Sequence, residues 1–129
     1  MKKVILMLVA MFTISLNSFA DNNESNEVES FEKYDIQVNN RRLASFLDLS
    51  EDQIDAVESI ITELKNGMSF AFYENGKDSR KKVVANVVNA NVKHMSYILN
   101  KSQYKKYLTV FNATLVNRGF DLADMKVEE

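Results

Sequence analysis

An all-α domain of three to four helices, folded as antiparallel helical hairpins or a small bundle behind a signal peptide, is what this sequence predicts. Three observations carry that expectation. The 129 residues include no proline and only three glycines, 67, 76 and 119, so the chain has little from which to make tight turns or sheet edges. Apolar residues recur at steps of three and four, the period of one helix face. A helix-start word, Leu-Ser-Glu-Asp-Gln at 49–53, returns further on as Leu-Asn-Lys-Ser-Gln at 99–103.

Residues 1–20 read as the signal peptide. Lys2 and Lys3 precede an apolar run from Val4 to Leu16, and the small residues Ser18 and Ala20 stand at the −3 and −1 positions of a cleavage site. That run is too short for a spanning helix, which needs roughly 20 apolar residues. Cleavage after Ala20 gives an exported product, expected in the periplasm, with a secreted protein as the alternative and no stable membrane insertion. The chain has no cysteine, so packing rather than disulfides must hold it together.

Residues 21–35 are polar and acidic and read as a flexible lead-in, with too few apolar side chains to offset the entropy of ordering them. The helical domain is expected over 36–120. Its first helix takes Ile36, Val38, Leu43, Phe46 and Leu47 and ends near Leu49. The second carries Ile54, Val57, Ile60, Ile61, Leu64, Met68 and Ala71 on one face. The stretch 74–79, Glu-Asn-Gly-Lys-Asp-Ser, is the clearest turn, with Gly76 free to take unusual backbone angles. A third helix follows through Val83, Val84, Val87, Val88, Met95, Ile98 and Leu99. Valine is a poor helix former, but the spacing here is not the strict alternation of a strand. The fourth helix takes Tyr104, Tyr107, Leu108, Phe111 and Leu115. Gly119 closes it from the position beyond the cap, with Phe120 placed for the accompanying apolar contact. Residues 121–129 form a C-terminal tail.

The repeated word has a physical meaning. Ser50 is a helix N-cap, and Gln53, three residues on, can reach back to the backbone N–H of the cap residue. Leu49 and Ile54 can close an apolar staple around that box. Leu99, Asn100, Gln103 and Tyr104 offer the same four roles at the start of the fourth helix. With Leu-Thr-x-x-Gln words paired at this distance in a small exported helical protein, the Spy/CpxP family of periplasmic chaperones and stress adaptors is the family that this chain resembles, from Leu49 to about Arg118. Ser50 and Asn100 stand where that family has threonine, a change that keeps the cap chemistry. The resemblance implies a bent helical protein, often dimeric, that holds unfolded proteins of the envelope on a concave face without ATP.

Charge is unevenly placed. Residues 21–78 hold fourteen acidic and five basic side chains, whereas 79–118 hold eight basic and no acidic ones. Arg80, Lys81 and Lys82 open the third helix and Lys101, Lys105 and Lys106 the fourth, at ends where the helix dipole disfavours cations. Two readings follow. Either these groups are compensated internally, Lys101, Lys105 and Lys106 by Asp52, Asp55 and Glu58, and Arg80–Lys82 by the carbonyl-rich end of the second helix, near Glu63 and Glu74, or they present a basic face to a partner.

Catalytic inventory is thin. His94 is the only histidine and no nucleophile motif accompanies it. One histidine without cysteine cannot build a usual zinc site, and no calcium loop or phosphate-cradling glycine loop is present. Nothing here calls for a cofactor or metal, a catalytic residue or a nucleic-acid partner, and a non-enzymatic protein is expected. Asn91 falls near the apolar stripe, where a hydrogen-bonded amide could specify packing. Candidate client contacts are Met68, Phe70, Phe72 and Tyr73, rimmed by Arg80, Lys81 and Lys82. The competing expectation is a non-enzymatic envelope subunit with one dedicated partner.

Overall fold

The structure, a computed structural model, describes residues 30–125. Its helices are α1 Phe31–Tyr34, α2 Asn40–Leu47, α3 Glu51–Tyr73, α4 Lys77–Ile98, α5 Lys101–Asn117 and α6 Leu122–Met125. No strand occurs among the described residues. The signal-peptide reading lies outside them.

Two long helices set the frame. α3 and α4 form an antiparallel hairpin around the turn at Glu74–Gly76. Their register is fixed by contacts down the seam: Arg80 against Ala71, Val87 against Gly67, His94 against Glu63 and Ile98 against Gln53. Gly67 is required at its position, because a Cβ there would lie 2.8 Å from Val87 Cγ1. One face of the hairpin buries Val57, Ile61, Leu64, Met68 and Ala71 from α3 and Val84, Val88, Val92 and Met95 from α4. The valine-rich segment is thus one unbroken helix, its weak propensity overridden by burial.

α5 lies against this face and contributes the largest core side chains, Tyr107 and Phe111, stacked at 5.3 Å. Its C-terminus ends as the sequence predicts. Gly119 takes φ 96°, its N–H bonds the Val116 carbonyl at 3.0 Å, and the Phe120 N–H bonds the Leu115 carbonyl at 2.9 Å. This is the Schellman pattern, and Phe120 tucks edge-on to the Tyr34 ring at 5.4 Å. Burial pushes the Tyr107 phenol well above its ordinary pKa, against the lowering effect of a 2.6 Å hydrogen bond donated to Asn91. Asn91 is itself buried, so it sits inside the core.

Four boundaries differ from the sequence expectation. The turn read over 74–79 is shorter, since α4 begins at Lys77 and Gly76 caps it with an ordinary negative φ of −72°. The first helix begins at Asn40, four residues later than Ile36, because Asn39 caps it by accepting from the Arg42 N–H at 3.0 Å. Ile36 is fully buried from an extended segment, and the two-residue step to Val38 belongs to that segment rather than to a helix. The last residues of the expected lead-in are ordered: Ser30 caps α1, Tyr34 is buried, and Phe31 stacks on Tyr73 at 5.0 Å. Arg118 holds this turn by donating to the Glu32 carbonyl. The start of the expected tail is also folded, since Met125 is buried and its carbonyl accepts from Asn89 Nδ2 at 2.9 Å.

α2 ends at Asp48 in the left-handed conformation, φ 59°. Aspartate tolerates that region less well than glycine, and its charge faces the negative end of the α2 dipole. Asp48→Gly should therefore raise the unfolding free energy by about 0.5–1 kcal/mol in a denaturant titration. A loss of stability would show that the aspartate side chain has a favourable role at this turn.

Candidate functional site

The two helix-start words meet in space. Ser50 Oγ accepts from the Gln53 N–H at 3.3 Å, and Gln53 Oε1 accepts from the Ser50 N–H at 3.0 Å. Asn100 Oδ1 accepts from the Gln103 N–H at 2.8 Å, and Gln103 Oε1 accepts from the Asn100 N–H at 2.9 Å. Both helices therefore begin with a reciprocal capping box. Leu99 is buried, while Leu49 and Tyr104 pack half-buried against the core.

The glutamines then do something no single box requires. Gln53 Nε2 donates to Gln103 Oε1 at 2.8 Å, and Gln103 Nε2 donates back to Gln53 Oε1 at 3.1 Å. Gln53 Nε2 also donates to the Ile98 carbonyl at 3.0 Å, the last residue of α4. Gln103 Nε2 donates to the carbonyls of Leu47 and Asp48 at 3.1 and 3.2 Å, at the end of α2. Each amide thus starts its own helix, pairs with its twin and terminates the helix that precedes the twin. Repeating the word gives this clasp its two-fold character. Sequence spacing identified the caps, but only the fold shows that they face each other.

Within this clasp the cap residues themselves are exposed. Ser50→Ala and Asn100→Ala should each cost about 1 kcal/mol of unfolding free energy. Neither change should alter binding to other proteins, measured by co-sedimentation with a partner. Lost binding at unchanged stability would make these positions recognition residues rather than caps.

At the other end of the hairpin the candidate client contacts separate. Phe70 and Tyr73 are 53% and 65% exposed. Met68 is fully buried, so it is a core residue and not a contact: it falls four residues after Leu64 on the inward stripe. Phe72 is half-buried in a ring cluster, 5.5 Å from Phe31, 5.3 Å from Tyr34 and 5.1 Å from Tyr73. Arg80 is turned inward. Its guanidinium donates to the carbonyls of Ala71, Phe72 and Asn75 at 3.3, 3.0 and 3.2 Å and lies 4.7 Å from the centre of the Phe72 ring. A cation at the start of α4 is therefore compensated by the carbonyl end of α3. Lys81 pairs with Asp124 at 3.5 Å, and Lys82 is exposed.

The other expected pairing does not form. Among the described residues no ion pair joins Lys101, Lys105 or Lys106 to Asp52, Asp55 or Glu58. Lys106 Nζ instead lies 5.5 Å from the centre of the Phe46 ring. The two helix starts do lie side by side, but the glutamines occupy the space between them.

A shallow groove of about 420 Å³ runs between α3 and α4 on the side away from the core. Ala56, Ile60 and Glu63 line it from α3, and His94, Tyr97 and Ile98 from α4. His94 Nδ1 lies 2.8 Å from Glu63 Oε1. A carboxylate can only accept, so Nδ1 carries the hydrogen in this contact. The sequence singles out His94 as the lone histidine but gives no sign of Glu63 as its partner. Their separation along the chain matches no local helical spacing, so only the hairpin register pairs them.

No helix among the described residues is long and apolar enough to cross a membrane. Compared with protein-family models, curated proteins and solved structures, the chain matches none.

Proposed function

We propose that this chain is an exported, ATP-independent protein-binding protein of the Spy/CpxP kind, which captures partly unfolded envelope proteins. The observation that carries the reading is the hairpin tip, where Phe70 and Tyr73 near the end of α3 hold apolar rings in solvent and Lys81 and Lys82 are exposed in the first turns of α4. Exposed aromatics give a sequence-tolerant apolar contact, and nearby lysines favour encounter with acidic segments. The paired cap words supply further support, because they set the resemblance on which the chaperone class rests. The decisive experiment is suppression of aggregation of a chemically denatured client at low salt. Protection at near-stoichiometric amounts, weakened by Phe70→Ser together with Tyr73→Ser, is the expected result. No protection at several-fold excess removes the chaperone reading, and a single stoichiometric partner recovered from envelope extracts would replace it with a dedicated subunit.

A further inference from the structure

The outer face of the hairpin has a pattern that the tip does not explain. Ala56, Glu63 and Phe70 follow one another at seven-residue steps along α3, and Val83, Ala90 and Tyr97 do the same along α4. Seven residues make nearly two turns, so each trio forms a line on one side of its helix. Ala56, Glu63 and Tyr97 border the groove between the helices. This side is turned away from the core stripe of Val57, Ile61, Leu64 and Met68, while Ile60 and Val83 at its margins are partly buried against the core. Heptad lines on two adjacent antiparallel helices are the surface onto which another helix packs.

Exposure and charge show what would fit. Phe70 and Tyr97 are 53% and 69% exposed and stand towards opposite ends of the seam. The ten residues from Ile60, which lines the groove with Tyr97, to Phe70 span about 15 Å of helix. Between them the groove's ionisable groups, Glu63 and His94, already partner each other at 2.8 Å. Asp52 and Asp55 are exposed in the first two turns of α3, and Lys82 and Lys93 are exposed on α4; by helical phase each pair flanks its helix's outer line. Among the described residues none of these four has an ion pair.

From this we infer that the α3–α4 seam docks one amphipathic α-helix of a partner protein, apolar at heptad spacing, basic along the edge over α3 and acidic along the edge over α4. The inference rests on the protein-binding reading and sharpens it: the partner is held as a helix, not as an extended chain.

The probe is a fluorescein-labelled peptide of three heptads, with leucine at the a and d positions, lysine along one edge and glutamate along the other. Its control has the same composition scrambled out of period. Anisotropy titration of the purified protein at low salt should show binding of the periodic peptide only. Phe70→Ser/Tyr97→Ser should weaken binding by roughly tenfold or more, as loss of two aromatic anchors does. Both side chains are solvent-exposed, and an unchanged thermal melt shows that the variant is folded. Equal binding of the scrambled peptide, or an unaffected double variant, overturns the inference. So does a wild-type protein that sediments as a dimer and that the double substitution makes monomeric, because the seam then receives a second copy of this chain. Client aggregation followed in parallel separates the two levels. Protection of the client without peptide binding removes the helix-docking seam and leaves the general reading, whereas failure in both removes both.

Discussion

Gln103→Ala should lower the free energy of unfolding by roughly 2–4 kcal/mol, a large loss for one polar side chain. Gln103 is buried, at 7% exposure, and its amide carries five hydrogen bonds. Truncation strands the Asn100 N–H, the carbonyls of Leu47 and Asp48, and the paired amide of Gln53. Leaving buried partners unsatisfied costs about 1–3 kcal/mol for each group that water cannot reach. Gln53 is less buried, so Gln53→Ala should cost less. Because the two amides satisfy each other, the double variant should lose less than the sum of the single losses. Urea titrations of the four proteins in a double-mutant cycle measure that coupling. Strict additivity would mean that the clasp is two independent caps lying side by side.

Gly67→Ala is the second large effect, and its sign runs against helix propensity. Alanine in place of a mid-helix glycine ordinarily gains about 1 kcal/mol. Here the added methyl would sit 2.8 and 2.9 Å from the two γ-carbons of Val87. Those carbons belong to a β-branched side chain with one strongly preferred rotamer in a helix, so they yield only if the helices part. Overpacking of this kind costs about 1–3 kcal/mol, and net destabilisation is the expected result. Val87→Ala removes the obstruction. Gly67→Ala should then be stabilising in the Val87→Ala background, read as a change of sign in thermal melts. Destabilisation of similar size in both backgrounds would place the strain somewhere other than this contact.

The sequence disclosed most where a signal is local. Ser50 with Gln53, Asn100 with Gln103, and Gly119 with Phe120 each complete their chemistry within a few residues, so spacing alone locates them. The long stripes through α3, α4 and α5 are equally plain, since one buried face repeats over many turns. Met68 belongs to that same stripe, and its place in the core follows from the spacing that fixes Leu64 and Ala71. Phe70, two residues on, points elsewhere for the same geometric reason.

Other features depend on partners distant in the chain. Phe31 and Tyr34 lie in an acidic stretch that reads as disordered, yet the rings of Phe72, Tyr73 and Phe120 bury or stack them. Ile36 is anchored without any secondary structure to announce it. The inward turn of Arg80 was legible as compensation for a misplaced charge by the carbonyl-rich end of the preceding helix, and its guanidinium does donate to the carbonyls of Ala71, Phe72 and Asn75. Lys106 finds an aromatic ring where an acid was expected. The meeting of Gln53 with Gln103 needs the hairpin and the return of α5, which no one-dimensional period encodes.

Four helix termini converge on the two glutamines, while the far end of the hairpin is held by the Arg80 contacts and by the rings of Phe31, Tyr34, Phe72 and Tyr73. Fraying at any one of those four ends must disrupt an amide on which the other three depend. The base of the molecule therefore resists local melting as one unit, and a helix end there opens only together with its three neighbours.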